Sequence, residues 1–233
     1  MFGFFYYDWT ILIVLPAMIL AMWAQFKVKS TFSQYSKTRT RAGLTGAMAA
    51  RRLLDSNGLY DVNISMTPGE LTDHYNPKDK TLYLSKAVHD SNSAAAIGVA
   101  CHEAGHALQD AKAYAPLKLR MGMVPVCNFG SSLAMPLFLI GLFINPELGW
   151  GFMLAGIACF SLATFFQLVT LPVEFNASRR AMEGMRDCGI LYEDELSDAR
   201  RVLSAAAMTY VAALATSLLS LLRLIVIANR HRD

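Results

Sequence analysis

Long apolar runs alternate with two polar blocks along this chain. Trp9–Phe26, Met121–Ile144 and Leu148–Val173 contain no charged residue. Val202–Leu222 is a fourth such run, and it resumes after Arg223 as far as Ala228. A helix needs about 20 apolar residues to cross the hydrocarbon core of a bilayer. Four stretches of that length predict four transmembrane helices rather than four buried helices of a soluble domain. The polar block 27–120 has a different texture. "KVKSTFSQYSKTRTRAG" is basic and reads as a juxtamembrane helix or an arm lying on anionic lipid. "LTGAMAARRLLDSNG" has a helical pattern, with Gly58 placed as a C-terminal stop. "DVNISM" alternates and predicts a short strand, and "ELTDHY" and "TLYLS" flank the turn "NPKDK" as a hairpin. A helix follows over "SNSAAAIGVACHEAGHALQDAKAY", with Ser91 or Ser93 able to cap it. After the third apolar run, Pro172 can start or kink a helix, and "VEFNASRRAMEGMRDCG" reads as helical up to Gly189.

Composition agrees with this pattern. Of 233 residues, 54% are apolar and 17% charged, against about 25% charged in soluble domains. The fold class expected is a mainly α integral membrane protein with a small α+β region. Five parts are expected: 1–26 with the first span, the 27–120 insert, 121–173 with two spans, a helical 174–201, and 202–233 with the fourth span and a basic tail. The amino terminus lacks the basic region of a cleaved signal, so the first span is expected to be retained. Tyr6, Tyr7, Trp9 and Trp150 sit where interfacial anchors belong.

Charge sets the orientation. No Lys or Arg precedes the first span, 13 lie in 27–120, none lies in the "NPE" link, and five lie in 179–201. The amino terminus and the NPE turn are therefore expected outside and both basic blocks in the cytoplasm. The tail "RHRD", with Arg230 and Arg232, disagrees, because four full crossings place it outside. This bias accounts for most of the net charge of +3, so no nucleic-acid partner is expected. Cys101, Cys127, Cys159 and Cys188 form no CxxC pair and are expected as reduced thiols.

The chemistry is carried by "HEAGH". On a helix, His102 and His106 are one turn apart and project from one face, so both imidazoles can reach a single ion. Glu103 points about 100° away from His102, close enough to take a proton from a water on the metal without ligating it. The alternative is two helix histidines satisfied by neighbours. A catalytic zinc site needs a third ligand and an open position. By position, Asp110, Glu174, Glu183, Asp187, Glu193, Asp198, His74 and His89 all qualify. Glu174 is distinguished as the first charge after the third apolar run, where a carboxylate is unfavourable unless paired or metal-bound.

"DHYNP", "TLYLS", "GVACHEAGHALQD" and "LPVEFNASRRA" together resemble the YugP-type neutral zinc metallopeptidases of bacterial membranes, and more loosely the HtpX-type and CAAX-processing membrane peptidases. The resemblance covers nearly the whole chain. It implies a gluzincin-type, zincin-like cytosolic catalytic region, with one Zn2+ on His102, His106 and Glu174 and with Glu103 as general base. It also implies membrane-protein or peptide substrates and a place in the bacterial cytoplasmic membrane. In the looser relatives the second element reads ExxAD; here Ser178 stands at the aspartate position. Ser178 itself, Asn176, Asp73 or a water is then expected to orient a zinc histidine. Such relatives bind substrate as an added strand, which makes Thr81, Leu82, Tyr83, Leu84 and Ser85 the candidate edge. Oxyanion candidates are His74, Tyr75, Arg179 and Arg180. Two rival readings are a zinc-binding scaffold without protease activity, which the presence of Glu103 opposes, and an ion transporter, which would need ionisable groups inside the spans.

Overall fold

A computed structural model describes residues 9–232; Tyr6 and Tyr7 lie outside them. The chain divides into two compact units. One comprises the chain up to Trp23, Leu119–Thr170 and the chain from Tyr210 on; the other comprises Ala24–Lys118 and Leu171–Thr209. Four long helices contribute residues to both: α1 (Ile11–Tyr35), α5 (Ala115–Phe143), α6 (Pro146–Asp187) and α7 (Glu193–Arg232). All four are long and apolar enough to cross a membrane. The basic segment after Phe26 continues α1, and α6 runs through Pro172 without ending there.

In the first unit the large side chains turn outward. Phe129 is 70% exposed and Phe143 80%, as expected where the surrounding solvent is hydrocarbon. Its interior is a small cluster of Phe138, Met153, Leu224 and Ala228. Close contact comes from glycine: a Cβ added at Gly141 would fall 2.5 Å from the Gly149 carbonyl oxygen. The end of α7 lies beside the start of α1. Arg223 Nε donates to Thr10 Oγ1 at 3.0 Å, and the Arg230 guanidinium sits 5.6 Å from the Trp9 ring centroid. The described end of α7 therefore lies beside the start of the first helix.

The second unit is built like a water-soluble domain. The order after α1 is α2 (Gly46–Ser56), β1 (Asn63–Thr67), β2 (His74–Asn76), β3 (Thr81–Ser85), α3 (Lys86–His89) and α4 (Ala94–Ala111). Thr45 Oγ1 caps α2 by accepting from Met48 N. At its far end Gly58, at φ 74°, donates to Asp55 O while Leu59 N donates to Leu54 O, the paired closure that a left-handed residue permits. Gly189, at φ 58°, ends α6 the same way through Arg186 O and Met185 O. Ser93, rather than Ser91, caps α4 by accepting from Ala96 N at 3.2 Å. The one-turn α3 is a feature the sequence reading did not contain.

The sheet has three strands in the order β1-β3-β2. The hairpin forms as expected, with β2 antiparallel to β3, and β1 lies parallel on the other side. This overturns one expectation. Thr81, Leu82, Tyr83, Leu84 and Ser85 form the central strand, paired on both sides, and are not an exposed edge. The edges are β1 and β2. Leu53, Leu54, Leu82, Leu84, Ile97 and Met185 are fully buried around α4 and form the core of this unit. Each side chain of that size contributes about 1.5–3 kcal/mol by leaving water.

Candidate metal centre

The helix α4 presents small residues on most of its buried surface: Ala94, Ala95, Ala96, Gly98, Ala100, Ala104, Gly105 and Ala107. This lets neighbouring backbone come close. A Cβ at Gly105 would fall 2.6 Å from the Ala177 carbonyl oxygen of α6. Gly105 lies between the two histidines in sequence, and Ala177 follows Glu174 by three residues. The absence of that side chain therefore sets how near Glu174 approaches the imidazoles.

The result is a convergence of three donors. Glu174 Oε2 lies 3.3 Å from His102 Nε2 and 3.6 Å from His106 Nε2. Ligand atoms of His102, His106 and Glu174 all lie within 4.8 Å of one another. Glu174 is buried, with 2% of its surface exposed. Two ligands about 2.0–2.1 Å from one tetrahedral ion are separated by about 3.3–3.4 Å, so the observed spacings fit a zinc ion. The outer ring nitrogens support this reading. Ser178 Oγ lies 3.1 Å from His102 Nδ1 and Gln109 Oε1 lies 3.0 Å from His106 Nδ1. With Nδ1 donating in each ring, both Nε2 lone pairs are left for the metal.

Glu103 is held separately. Its Oε2 accepts from the backbone N–H of Tyr75 at 3.1 Å, so the strand β2 fixes one of its carboxylate oxygens. Burial raises the Glu103 pKa above the ordinary carboxylate value, against the opposing influence of His102 and His106. Burial also opposes charge on His106, but hydrogen bonding to Glu174 and the field of Glu103 raise its pKa overall. A metal entering this site therefore competes with protons.

The other candidates are placed as follows. Tyr75 Oη donates to Asp110 Oδ2 at 3.0 Å, and burial together with that carboxylate pushes the phenol pKa upward. Asp110 is thus engaged away from the three ligands. His74 stacks on Tyr83 at 5.0 Å, with Nδ1 2.8 Å from Thr72 O. His89 pairs with Asp90 at 2.6 Å, and Glu193 with Arg186 at 3.1 Å. Asp73 accepts from the Ser85 N–H and hydroxyl, and Asn176 accepts from Arg180 Nε at 2.7 Å. Of the residues considered for orienting a zinc histidine, Ser178 is the one at His102. Arg179 is exposed. Among the described residues the only group of three able to hold a metal is His102, His106 and Glu174. Sequence reasoning missed Gln109; its spacing of three residues from His106 on the same helix was the available signal.

An HExxH helix, a converging glutamate and apolar helices of membrane-crossing length define a membrane zinc metallopeptidase class. The chain belongs to the family described as "putative neutral zinc metallopeptidase", which matches residues 10–229. It is similar to "Putative membrane protease YugP" of Bacillus subtilis (strain 168), with 48% identity over 223 residues, covering 96% of this chain and 98% of that protein. No solved structure matches the chain.

Proposed function

We propose that this chain is a multi-pass, zinc-dependent endopeptidase that cuts peptide bonds close to the cytoplasmic surface of a bacterial inner membrane. The observation that carries this is the convergence of His102, His106 and Glu174, with Glu103 beside them on its own backbone anchor. Zinc held there by His102, His106 and Glu174 would supply a Lewis acid able to polarise a carbonyl and acidify a water. Glu103 takes the proton from the attacking water and delivers it to the departing amine. The Tyr75 N–H holds Oε2, which leaves the other oxygen to carry that proton. Gln109 keeps His106 in the orientation and tautomer the metal requires, and Ser178 holds the orientation of His102. With β3 central, the strand that borders Glu103 is β2, so an extended substrate aligns along the outer edge of β2.

The placement rests on sequence. Glu174 directly follows the uncharged stretch Leu148–Val173, and Lys and Arg concentrate in 27–120 and 179–201. The first supports a site at the membrane surface, and the second supports the cytoplasmic side for it, with the start of α1 outside. Membrane proteins and peptides near the bilayer are then the substrates, and quality control or processing of membrane proteins is the role.

The test is cleavage of a membrane-protein substrate in proteoliposomes by the parent and by Glu103→Gln, each with its zinc content measured. The expected result is a 10²–10⁴-fold fall in rate at unchanged zinc. A variant that cleaves as fast as the parent overturns the hydrolytic reading.

A further inference from the structure

Resting on that reading of the metal centre, we propose that Arg180, Asn176 and Gln109 are positioning residues. Together they form a one-way hydrogen-bond relay that fixes which nitrogen of His106 faces the zinc. Gln109 is fully buried. Its Nε2 donates to Val173 O at 2.8 Å and to Asn176 Oδ1 at 3.0 Å, and its Oε1 faces His106 Nδ1 at 3.0 Å. Asn176 Oδ1 also accepts from Arg180 Nε at 2.7 Å.

The direction of this relay follows from the chemistry of its far end. A guanidinium has only donors. Asn176 must therefore turn its oxygen, not its nitrogen, toward Arg180. The same oxygen faces Gln109, so Gln109 must present its nitrogen there, and the Val173 carbonyl demands the same orientation. Only the Gln109 oxygen then remains for His106, and an oxygen can only accept. The proton of His106 is held on Nδ1, and Nε2 keeps its lone pair for the metal. A single buried amide thus joins one ligand, His106, to the peptide that precedes another, Glu174. The relay contains no carboxylate, so it fixes a tautomer without adding negative charge beside the ion. His102 is supported by the Ser178 hydroxyl instead, which can donate or accept and imposes no such direction.

The experiment measures zinc dissociation constants by chelator competition on the full-length protein in detergent. Thermal melts of the zinc-free protein report on the fold. Arg180→Lys and Asn176→Asp preserve the donor-to-acceptor direction and are expected to bind zinc about as tightly as the parent. Arg180→Glu reverses it: Asn176 turns its nitrogen outward, and Gln109 is caught between that donor and the Val173 carbonyl, so its oxygen is no longer held on His106 Nδ1. That variant and Gln109→Leu are expected to lose about 10–100-fold in zinc affinity. A purely structural role would make Asn176→Asp as damaging as Arg180→Glu, and that result overturns the proposal. So does an Arg180→Glu variant that binds zinc as the parent does. If Arg180→Glu fails to fold, the Gln109→Leu and Asn176→Asp pair decides on the same criterion. A parent that binds no zinc overturns the metallopeptidase reading as well; a parent that binds it beside an indifferent Arg180→Glu overturns the relay alone.

Discussion

The two units of this chain draw on the same apolar residues and use them in opposite directions. In the unit of 119–170 and its partner segments, Phe129 and Phe143 face outward and the core is a handful of side chains. In the unit that carries HEAGH, Leu53, Leu82, Ile97 and Met185 are fully buried, and charged residues such as Lys80, Lys86 and Asp194 lie outside. The first arrangement suits hydrocarbon, where burying leucine gains nothing, so cohesion comes from small residues and side-chain hydrogen bonds. The second suits water, where each buried Å² of apolar surface is worth about 25 cal/mol. A site whose ligands must meet within tenths of an ångström sits in the second unit, held between α4 and α6 by packed small residues and satisfied polar groups.

Three pairs of substitutions probe that contrast, from the largest expected effect to the smallest. Leu53→Ala removes a fully buried side chain and is expected to lower unfolding free energy by about 2–5 kcal/mol. Phe129→Ala, although larger in volume, is expected to change it by about 0.5 kcal/mol or less. Denaturant titration in detergent measures both, and equal losses would erase the distinction between the units. Gly105→Ala and Gly141→Ala each force a Cβ onto backbone and are each expected to lose about 1–3 kcal/mol. Only Gly105→Ala is expected to weaken zinc binding, because its clash is with Ala177, one helical turn from Glu174, whereas the Gly141 clash is with Gly149 near the start of the same helix. Ser93→Ala removes the cap of α4 and is expected to lose about 1 kcal/mol. Ser217→Ala breaks the Thr164–Ser217 hydrogen bond of 2.8 Å in the apolar unit and is expected to lose about 0.6 kcal/mol.

Much of this architecture is legible in the sequence. The four apolar runs each became a helix of membrane-crossing length. The glycine stops at 58 and 189 fell where helices end, because a positive φ is a local property that one residue type supplies. The HEAGH spacing and the isolated charge at Glu174 pointed to residues that do converge. The sheet was less legible. "TLYLS" is expected as the edge only from the way similar peptidases bind substrate, and nothing in its residues separates an edge from a central strand. Yet Thr81 and Ser85 are buried, with the Ser85 hydroxyl on Asp73 and the Thr81 hydroxyl on Asp79 O, and no periodicity reveals a hydroxyl satisfied in that way. The parallel partner β1 is also distant in sequence. α3 is a single turn, too short for a 3.6-residue pattern. Pro172 is read in the sequence as able to start or kink a helix; no helix starts there, and α6 runs through it. Gln109 escaped notice because a lone amide on a helix reads as a solvated face until its neighbours are placed.

Metal content bears most directly on the central claim that His102, His106 and Glu174 hold one catalytic ion. Purified parent protein and Glu174→Ala would be compared for bound zinc, with far-UV circular dichroism on each. About one zinc per chain in the parent, and its loss from an otherwise helical Glu174→Ala, is the expected result. Zinc retained by Glu174→Ala with the parent's affinity would contradict the account and move the third ligand elsewhere.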